Sequence, residues 1–405
     1  MPITRRALVA TAAAALPLTR LRAQAAPRLR IGVLTDLSGT YRDTTGVTSV
    51  VCTRQAVDDF NPSAHGFEME VLQADHQNKP DVASSIARQW FDAGVQAIVD
   101  VPTSSVALAV AQVAKEKDRI MLNASATSTE LTDGQCSPNT IVWSFDTYML
   151  AQSNGGATVA AGGKDWFFVT ADYAFGHILE EQTADLVKKA GGKVLGAIRY
   201  PFPDTTDFSA YLQQAKASGA TVLGLANAGL DTVNSIKQAH EFGLEQSMKI
   251  APLLIFITDV HALGPINAAG LSVTETFYWD LNDRTRAFTR RVLPKTANNY
   301  PNQAHASAYG ITLHYLKTVA AMGPGEAVKS GRATVGRMKS MPSDDDAFGQ
   351  GGIRADGRGE FPAYLFQVKK PEDGKSPWDV YNLVHTTPAA QALHPLNPKC
   401  NFPTS

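Results

Sequence analysis

The chain has 405 residues, 44% hydrophobic and 19% charged, with a formal net charge of −1. That suits a soluble globular protein of roughly two or three domains. Residues 1–25 carry Arg5, Arg6, Arg20 and Arg22 and no acids, so the remainder balances 33 basic against 38 acidic residues. A mildly acidic body without a basic run argues against nucleic-acid binding.

The first element is a targeting segment. "TRRALVATAAAALPL" joins two arginines to an apolar stretch, and "AQA" (23–25) is a small-residue cleavage site. The pair Arg5-Arg6 fits either a twin-arginine or an ordinary Sec signal. Both imply export to the periplasm, with the signal peptide spanning 1–25 and a mature start near Ala26. No Cys stands at the cleavage site to carry a lipid, and no later stretch approaches the ~18 apolar residues of a membrane span.

From residue 28 short apolar runs alternate with amphipathic helical stretches. The strands "LRIGVLTD" (29–36), "MEVLQAD" (69–75), "QAIVDV" (96–101), "RIMLNA" (119–124) and "NTIVWSFD" (139–146) form one series. A helix through "YMLAQSNGGATVAAGG" opens a second, with strands "DWFFVTAD" (165–172), "KVLGAIRYP" (193–201), "TVLGLAN" (221–227) and "KIAPLLIF" (249–256). Strands separated by helices imply parallel sheets with right-handed crossovers, so the fold class is α/β with two doubly wound lobes. After residue 280, "DRTRAFTRRVLPKTANNY" and "AHASAYGITLHYLKTVAAMG" are helical, "DDDAFGQGGIRADGRGEF" (344–361) reads as a polar connector, and "AYLFQVKK" and "DVYNLVH" are late strands. Cys136 and Cys400 sit in turn-like contexts and are expected to pair, tying the tail 389–405 to the body, while Cys52 lies in a buried helical pattern.

The motifs of common chemistries are absent. There is no GxGxxG after a strand, no GxxxxGK[ST], no GxSxG and no HExxH, and the nine histidines are scattered. Asp344-Asp345-Asp346 lacks further oxygen ligands at EF-hand spacing and reads as a solvated turn. Neither metal nor cofactor is expected. In open α/β sheets ligands bind at the carboxyl ends of strands, and here those ends carry short polar residues and tyrosines. "LNASATSTELTD" (122–133) is the densest case. Thr127-x-x-Glu130 is a capping box, yet one helix start does not need Asn123, Ser125, Thr127 and Ser128 together. Hydroxyls and free N–H groups at a helix N-terminus hold a carboxylate without a formal cation, and no nucleophile–base pair accompanies them.

In this order and behind an export signal, "IGVLTDLSGTY", "PTSSVALAVAQVAKEK", "SATSTELT", "TADYAFGH", "FSAYLQQAKASGATVLGLANAG" and "IKQAHEFGL" cover residues 29–330. The chain resembles the solute-binding proteins of ABC importers in the leucine/isoleucine/valine-binding, or type I periplasmic-binding-protein, family. "WSFDTYMLA" is similar to a sub-branch whose members often take aromatic or other hydrophobic carboxylates. The resemblance implies two lobes joined by three crossovers near 146–148, 275–282 and 335–352. Lobe I would comprise 26–146 and 280–335, and lobe II 147–279 and 352–388.

It also implies site roles. Ser104 and Ser105, with Ser125 and Thr127, would bind the ligand carboxylate. Tyr41 would pack on the ligand from the first loop. Tyr173, beside Phe175, would close from lobe II. Asn227 and the segment Phe256 to Asp259 would line the other wall, and Asp146 and Tyr148 would lie at the first crossover. Amino-acid binders of this family place an acid on lobe II for the α-amino group, whereas "LLIFITD" is apolar there, with Asp259 a few residues late. That favours a hydrophobic or aromatic carboxylate over a hydrophobic amino acid. The expected partner is an ABC permease in the inner membrane, and a monomer is expected. An exported ligand sensor on the same fold and an α/β hydrolase are the alternatives.

Overall fold

A computed structural model describes residues 26–402. The targeting segment and the last three residues lie outside the described residues. The strands are β1 (Arg28–Thr35), β2 (Glu68–Asp75), β3 (Ala97–Asp100), β4 (Ile120–Asn123), β5 (Thr140–Val142), β6 (Asp165–Ala171), β7 (Lys193–Tyr200), β8 (Val222–Ala226), β9 (Lys249–Pro252), β10 (Ser272–Glu275), β11 (Ser343–Asp345), β12 (Gly349–Ile353), β13 (Gly359–Glu360), β14 (Ala363–Val368) and β15 (Tyr381–Thr387). The first five form a parallel sheet in the order β2-β1-β3-β4-β5, and the next four a parallel sheet in the order β7-β6-β8-β9. Helices cover both faces, so β3, β4, β5 and β8 are buried along their whole length and read as continuous apolar runs. These are two doubly wound α/β lobes.

The chain passes from lobe I to lobe II after β5, where Asp146 accepts from Met149 N and starts a helix. That helix is one continuous rod from Thr147 to Ala160, with a π-helical stretch at Ala151–Gly155 in its middle. The chain returns between Glu275 and the helix Asp283–Val292. The last passage corrects the expected position. Ile353 and Phe361 pack with Leu29, Val99 and Trp143 of lobe I, while Phe366, Val368 and Tyr381 pack with Val169 and Leu223 of lobe II. The third crossover therefore lies at 360–363, not at 335–352.

The stretch expected to be a polar connector is ordered. β11, β12 and β13 form a small antiparallel sheet. Asp345 is no solvated turn residue: it is buried and accepts from Ala347 N and Phe348 N at 2.8 and 2.7 Å. Asp344 and Asp346 pair with Arg284. Among the described residues no cluster of metal-ligating side chains forms, and no helix is long and apolar enough to cross a membrane.

Arg358, fully buried, joins the first and third crossovers. Its Nε donates to Asp146 Oδ2 at 2.7 Å, and its Nη1 donates to Trp143 O and Gly359 O. A second polar cluster spans the crossovers, with Thr276 Oγ1 2.9 Å from Ser144 Oγ, which lies 2.6 Å from Ser307 Oγ. The Sγ atoms of Cys136 and Cys400 are bonded, and Asn397 Nδ2 donates to Asp133, so the C-terminal segment is held against lobe I. Cys52 is a buried free thiol.

Candidate functional site

The carboxyl ends of the strands of both sheets face one interlobe cleft. Three loops build its lobe I wall. After β1, the Asp36 carboxylate collects Ser38 N, Gly39 N and Tyr41 N, and these bonds fold the loop that presents Tyr41, Thr44 and Thr45. Asn78 Nδ2 also donates to Asp36, and Thr103 Oγ1 donates to Asn78 Oδ1. The loops after β1, β2 and β3 are thus locked to one another below the cleft.

The end of β3 and the loop after it are strained. Asp100, Val101 and Thr103 have φ of 81°, 60° and 74°. Each such residue costs on the order of 1–3 kcal/mol, and strain of this kind persists only where its surroundings enforce it. The helix Ser104–Glu116 then starts with its N-terminus towards the cleft. After β4, Asn123 clamps Ala126 through both its main-chain N and O, which sets the turn carrying Ser125 and Thr127.

Lobe II contributes Tyr173, Phe175, Ala228, Leu254 and Phe256. Gly176 lets the helix Ala174–Lys189 approach β6, since a Cβ there would meet Ala171 O at 2.1 Å. Gly229, at φ 61°, faces Thr40 O and the Tyr41 ring so closely that a side chain would hold the lobes apart. Leu230 N donates to Thr40 O at 3.2 Å, and Tyr41 Oη lies 2.5 Å from Tyr173 Oη. Phe202 stacks on Tyr173 and Tyr41 with ring centroids 4.3 and 5.5 Å away. Gln182 Nε2 of lobe II reaches Thr129 Oγ1 of lobe I. The lobes are therefore closed on each other.

Seven of the twelve expected residues come together on the cleft: Tyr41, Ser104, Ser125, Thr127, Tyr173, Phe175 and Phe256. The other five do not line it. Ser105 lies one position further along its helix and turns off the wall. Asp146 spends both oxygens on Met149 N and Arg358. Tyr148 packs edge-on against His394 of the C-terminal segment. Asn227 is bonded inside lobe II to Ser235 and Thr232. Asp259 turns back to accept from Phe256 N, and burial pushes its carboxyl up to about 7. The capping box also differs. Residues Thr129–Leu131 form only a 3₁₀ turn, capped by Ser128, whose Oγ accepts from Glu130 N. Thr127 instead accepts from Thr147 N through its carbonyl, which ties the site loop to the first crossover.

Chemically, the cleft offers hydroxyls on one wall and aromatic faces on the other. Ser104 Oγ accepts from Ser128 N, which leaves its hydrogen free to donate. Helices of both lobes begin at the cleft, at Ser104 and Ala174, so main-chain N–H groups supply positive potential. Among the described residues no Asp, Glu, Lys, Arg or His side chain lines it. Sequence reading missed Thr44, Thr45 and Thr103 as lining residues, although "TTG" and "PTSS" after strands carried the same polar signal as the loop that was singled out. It also missed Phe202, which has no local signature.

Residues 28–375 match the periplasmic binding protein family. A periplasmic binding protein of Burkholderia mallei of known structure is 44% identical, with 91% of this chain and 97% of that chain covered and a TM-score of 0.87. A branched chain amino acid ABC transporter periplasmic ligand-binding protein of Burkholderia xenovorans is 36% identical over 91% of this chain and 97% of that one, with a TM-score of 0.78. The Leu/Ile/Val-binding protein homolog 6 of Brucella melitensis is 28% identical over 75% of this chain and 77% of its own length. With the two closed lobes and the shared cleft, the match over 28–375 makes this chain a member of the periplasmic binding protein family.

Proposed function

We propose that this protein is the exported solute-binding component of an ABC importer, taking a small hydrophobic or aromatic carboxylate and delivering it to an inner-membrane permease. The observation that carries the ligand class is the uncharged cleft: hydroxyls and helix N-termini on lobe I, aromatic and aliphatic side chains on lobe II. The carboxylate lies towards Ser104, Ser125 and Thr127, and the apolar body stacks against Tyr173, Phe175 and Phe256. Closure is a population shift, since a ligand that touches both lobes favours the closed form. The protein does no chemistry on its cargo. It acts as a monomer after cleavage of residues 1–25.

The names of two relatives point to branched-chain amino acids instead. No acid lines this cleft to receive an α-ammonium group, the Asp231 carboxyl behind Tyr173 being engaged by the Tyr200 hydroxyl, and an unpaired ammonium costs roughly 1–3 kcal/mol or more in a closed site. A thermal-shift screen of benzoate-type, phenylpropanoate-type and branched-chain ligands tests the reading, because a ligand bound only by the native state raises Tm. Ser104→Ala combined with Thr127→Ala should weaken the carboxylate hits at least tenfold while leaving the Tm of the free protein nearly unchanged. An unaltered Kd would remove these hydroxyls from the site.

A further inference from the structure

Ser125 lines the cleft, but its hydroxyl is already engaged. Its Oγ lies 2.6 Å from Asp100 Oδ1 and 3.2 Å from Asp100 O. Asp100 ends β3 and is fully buried, and its second oxygen, Oδ2, makes no hydrogen bond of ordinary length, with the Thr35 and Ser49 hydroxyls close by. An ionised carboxylate only accepts, so it takes the Ser125 hydrogen and leaves Ser125 showing the cleft two lone pairs. In that state Ser125 repels a ligand carboxylate oxygen and suits a ligand N–H or O–H. With a proton on Asp100 Oδ1 the bond reverses: Asp100 donates to Ser125 Oγ, and the Ser125 hydrogen turns to the ligand.

We propose that Asp100 is a positioning residue whose proton sets the hydrogen-bond polarity of Ser125, so that binding a carboxylate ligand takes up one proton from solvent onto Asp100. The proposal rests on the reading of this cleft as a carboxylate site. It makes Asp100, which does not touch the ligand, a determinant of ligand choice between a carboxylate and a hydrogen-bond donor at Ser125.

The surroundings permit the switch. From the end of β1, Thr35 and the Asp36 carboxylate act on Asp100, and from the helix Gly46–Phe60 Ser49 and the Cys52 thiol do. β4 presents Asn123, which is not ionisable, opposite Asp100. The helix Gln303–Met322 packs on this sheet, and its His305, bonded to Thr45 O and Asn302 N, is held neutral by burial. The first turn of Ser104–Glu116 carries no acid. Burial pushes the Asp100 carboxyl up to about 6, opposed by the Ser125, Thr35 and Ser49 hydroxyls and reinforced by Asp36. A ligand carboxylate held at Ser125 raises it further, because it adds a negative charge nearby and rewards the protonated form. By linkage, the Kd of a carboxylate is then flat below the free-protein value near 6 and weakens by up to tenfold per pH unit above it, until the complex itself deprotonates. A ligand donating to Ser125 shows the opposite slope.

The test is calorimetric titration of the full mature protein with benzoate and 3-phenylpropanoate across the neutral range, in two buffers of different ionisation enthalpy. The expected result is uptake of close to one proton per ligand at neutral pH, with Kd rising with pH. In Asp100→Asn, whose amide N–H can replace the acid proton, both the uptake and the slope should vanish while binding persists. Selective ¹³C labelling of aspartate carboxyls, with Asp100 assigned from that variant, should show Asp100 protonated in the neutral-pH complex. No proton uptake, or an ionised Asp100 in the complex, overturns the proposal. If no carboxylate binds at any pH the functional reading fails, and Asp100 is then judged in the free protein. There its resonance should titrate near 6 and move upward in Ser125→Ala, which removes a donor to the charged form. Titration near the ordinary aspartate value of about 4, or indifference to Ser125→Ala, overturns the assignment on its own.

Discussion

Removing one oxygen from Tyr173 isolates the contribution of the phenol bridge to closure. Tyr41 Oη and Tyr173 Oη are 2.5 Å apart and come from opposite lobes. Burial holds both phenols above their usual range, so the bond is a neutral O–H···O bond throughout the physiological pH range. Tyr173→Phe keeps the ring and its stack on Phe202 at 4.3 Å. In the closed form it leaves the Tyr41 hydroxyl, on a residue only 5% exposed, without that partner. In an open form water satisfies the hydroxyl in both proteins, so the whole cost falls on closure. A net hydrogen bond of about 1 kcal/mol, plus part of the penalty for an unpaired buried hydroxyl, gives about 1–2 kcal/mol. That corresponds to a Kd roughly 5–30 times weaker. Calorimetry on wild type and Tyr173→Phe measures it, and small-angle scattering shows whether saturating ligand still compacts the variant. Tyr173→Ala, which also removes the stack, should be weaker still. Equal Kd values for wild type and Tyr173→Phe would refute the idea that the phenol bridge stabilises the closed form.

Arg358→Met leaves Asp146 as an unpaired buried acid, so it should cost about 3–5 kcal/mol and lower Tm by several degrees, measured by calorimetry on the free protein. Cys400→Ser frees the end of a loop closed across 264 residues and should cost about 2–5 kcal/mol in denaturant titrations, with little change in ligand affinity. Asp259 holds its proton up to about 7 in the folded state, against about 4 unfolded. The folded form therefore binds the extra proton, and this stabilisation, complete below about pH 4, is lost as pH rises to about 7. Asp259→Asn should make that part of the stability–pH curve less steep, to which the raised Asp100 and Asp345 carboxyls also contribute, and an unchanged curve would show that Asp259 titrates normally.

The central strands of the two sheets were legible because they are buried on both faces. "QAIVDV" and "TVLGLAN" are continuous apolar runs ended by polar residues, and they became β3 and β8 within a residue or two. Seven cleft residues were legible for a related reason, since strand ends in such sheets are where ligands bind and the family motifs fall there. Asp146 and Asn227 occupy strand-end positions too, but their partners lie elsewhere: Arg358 is 212 residues away, and Ser235 sits on the next helix turn. Periodicity carries no record of such pairings. Asp100 did leave a trace, as an acid closing the apolar run "AIVD" in a buried strand, where an ionisable group is costly unless it has a task. The small sheet of β11 to β13 was hidden by its glycines and charges, which read as turn although Asp345 is buried beneath them.

The central claim is that the cleft takes a carboxylate and makes no place for an α-ammonium group. Calorimetric titration of the mature protein with two matched pairs, leucine against 4-methylpentanoate and phenylalanine against 3-phenylpropanoate, measures that directly. Within each pair the apolar body and the carboxylate are shared, and only the ammonium differs. At mildly acidic pH the deaminated acid should bind more tightly by about 5- to 150-fold, the cost of burying an unpaired ammonium. Tighter binding of both amino acids would contradict it and would require an acceptor for the ammonium within the cleft.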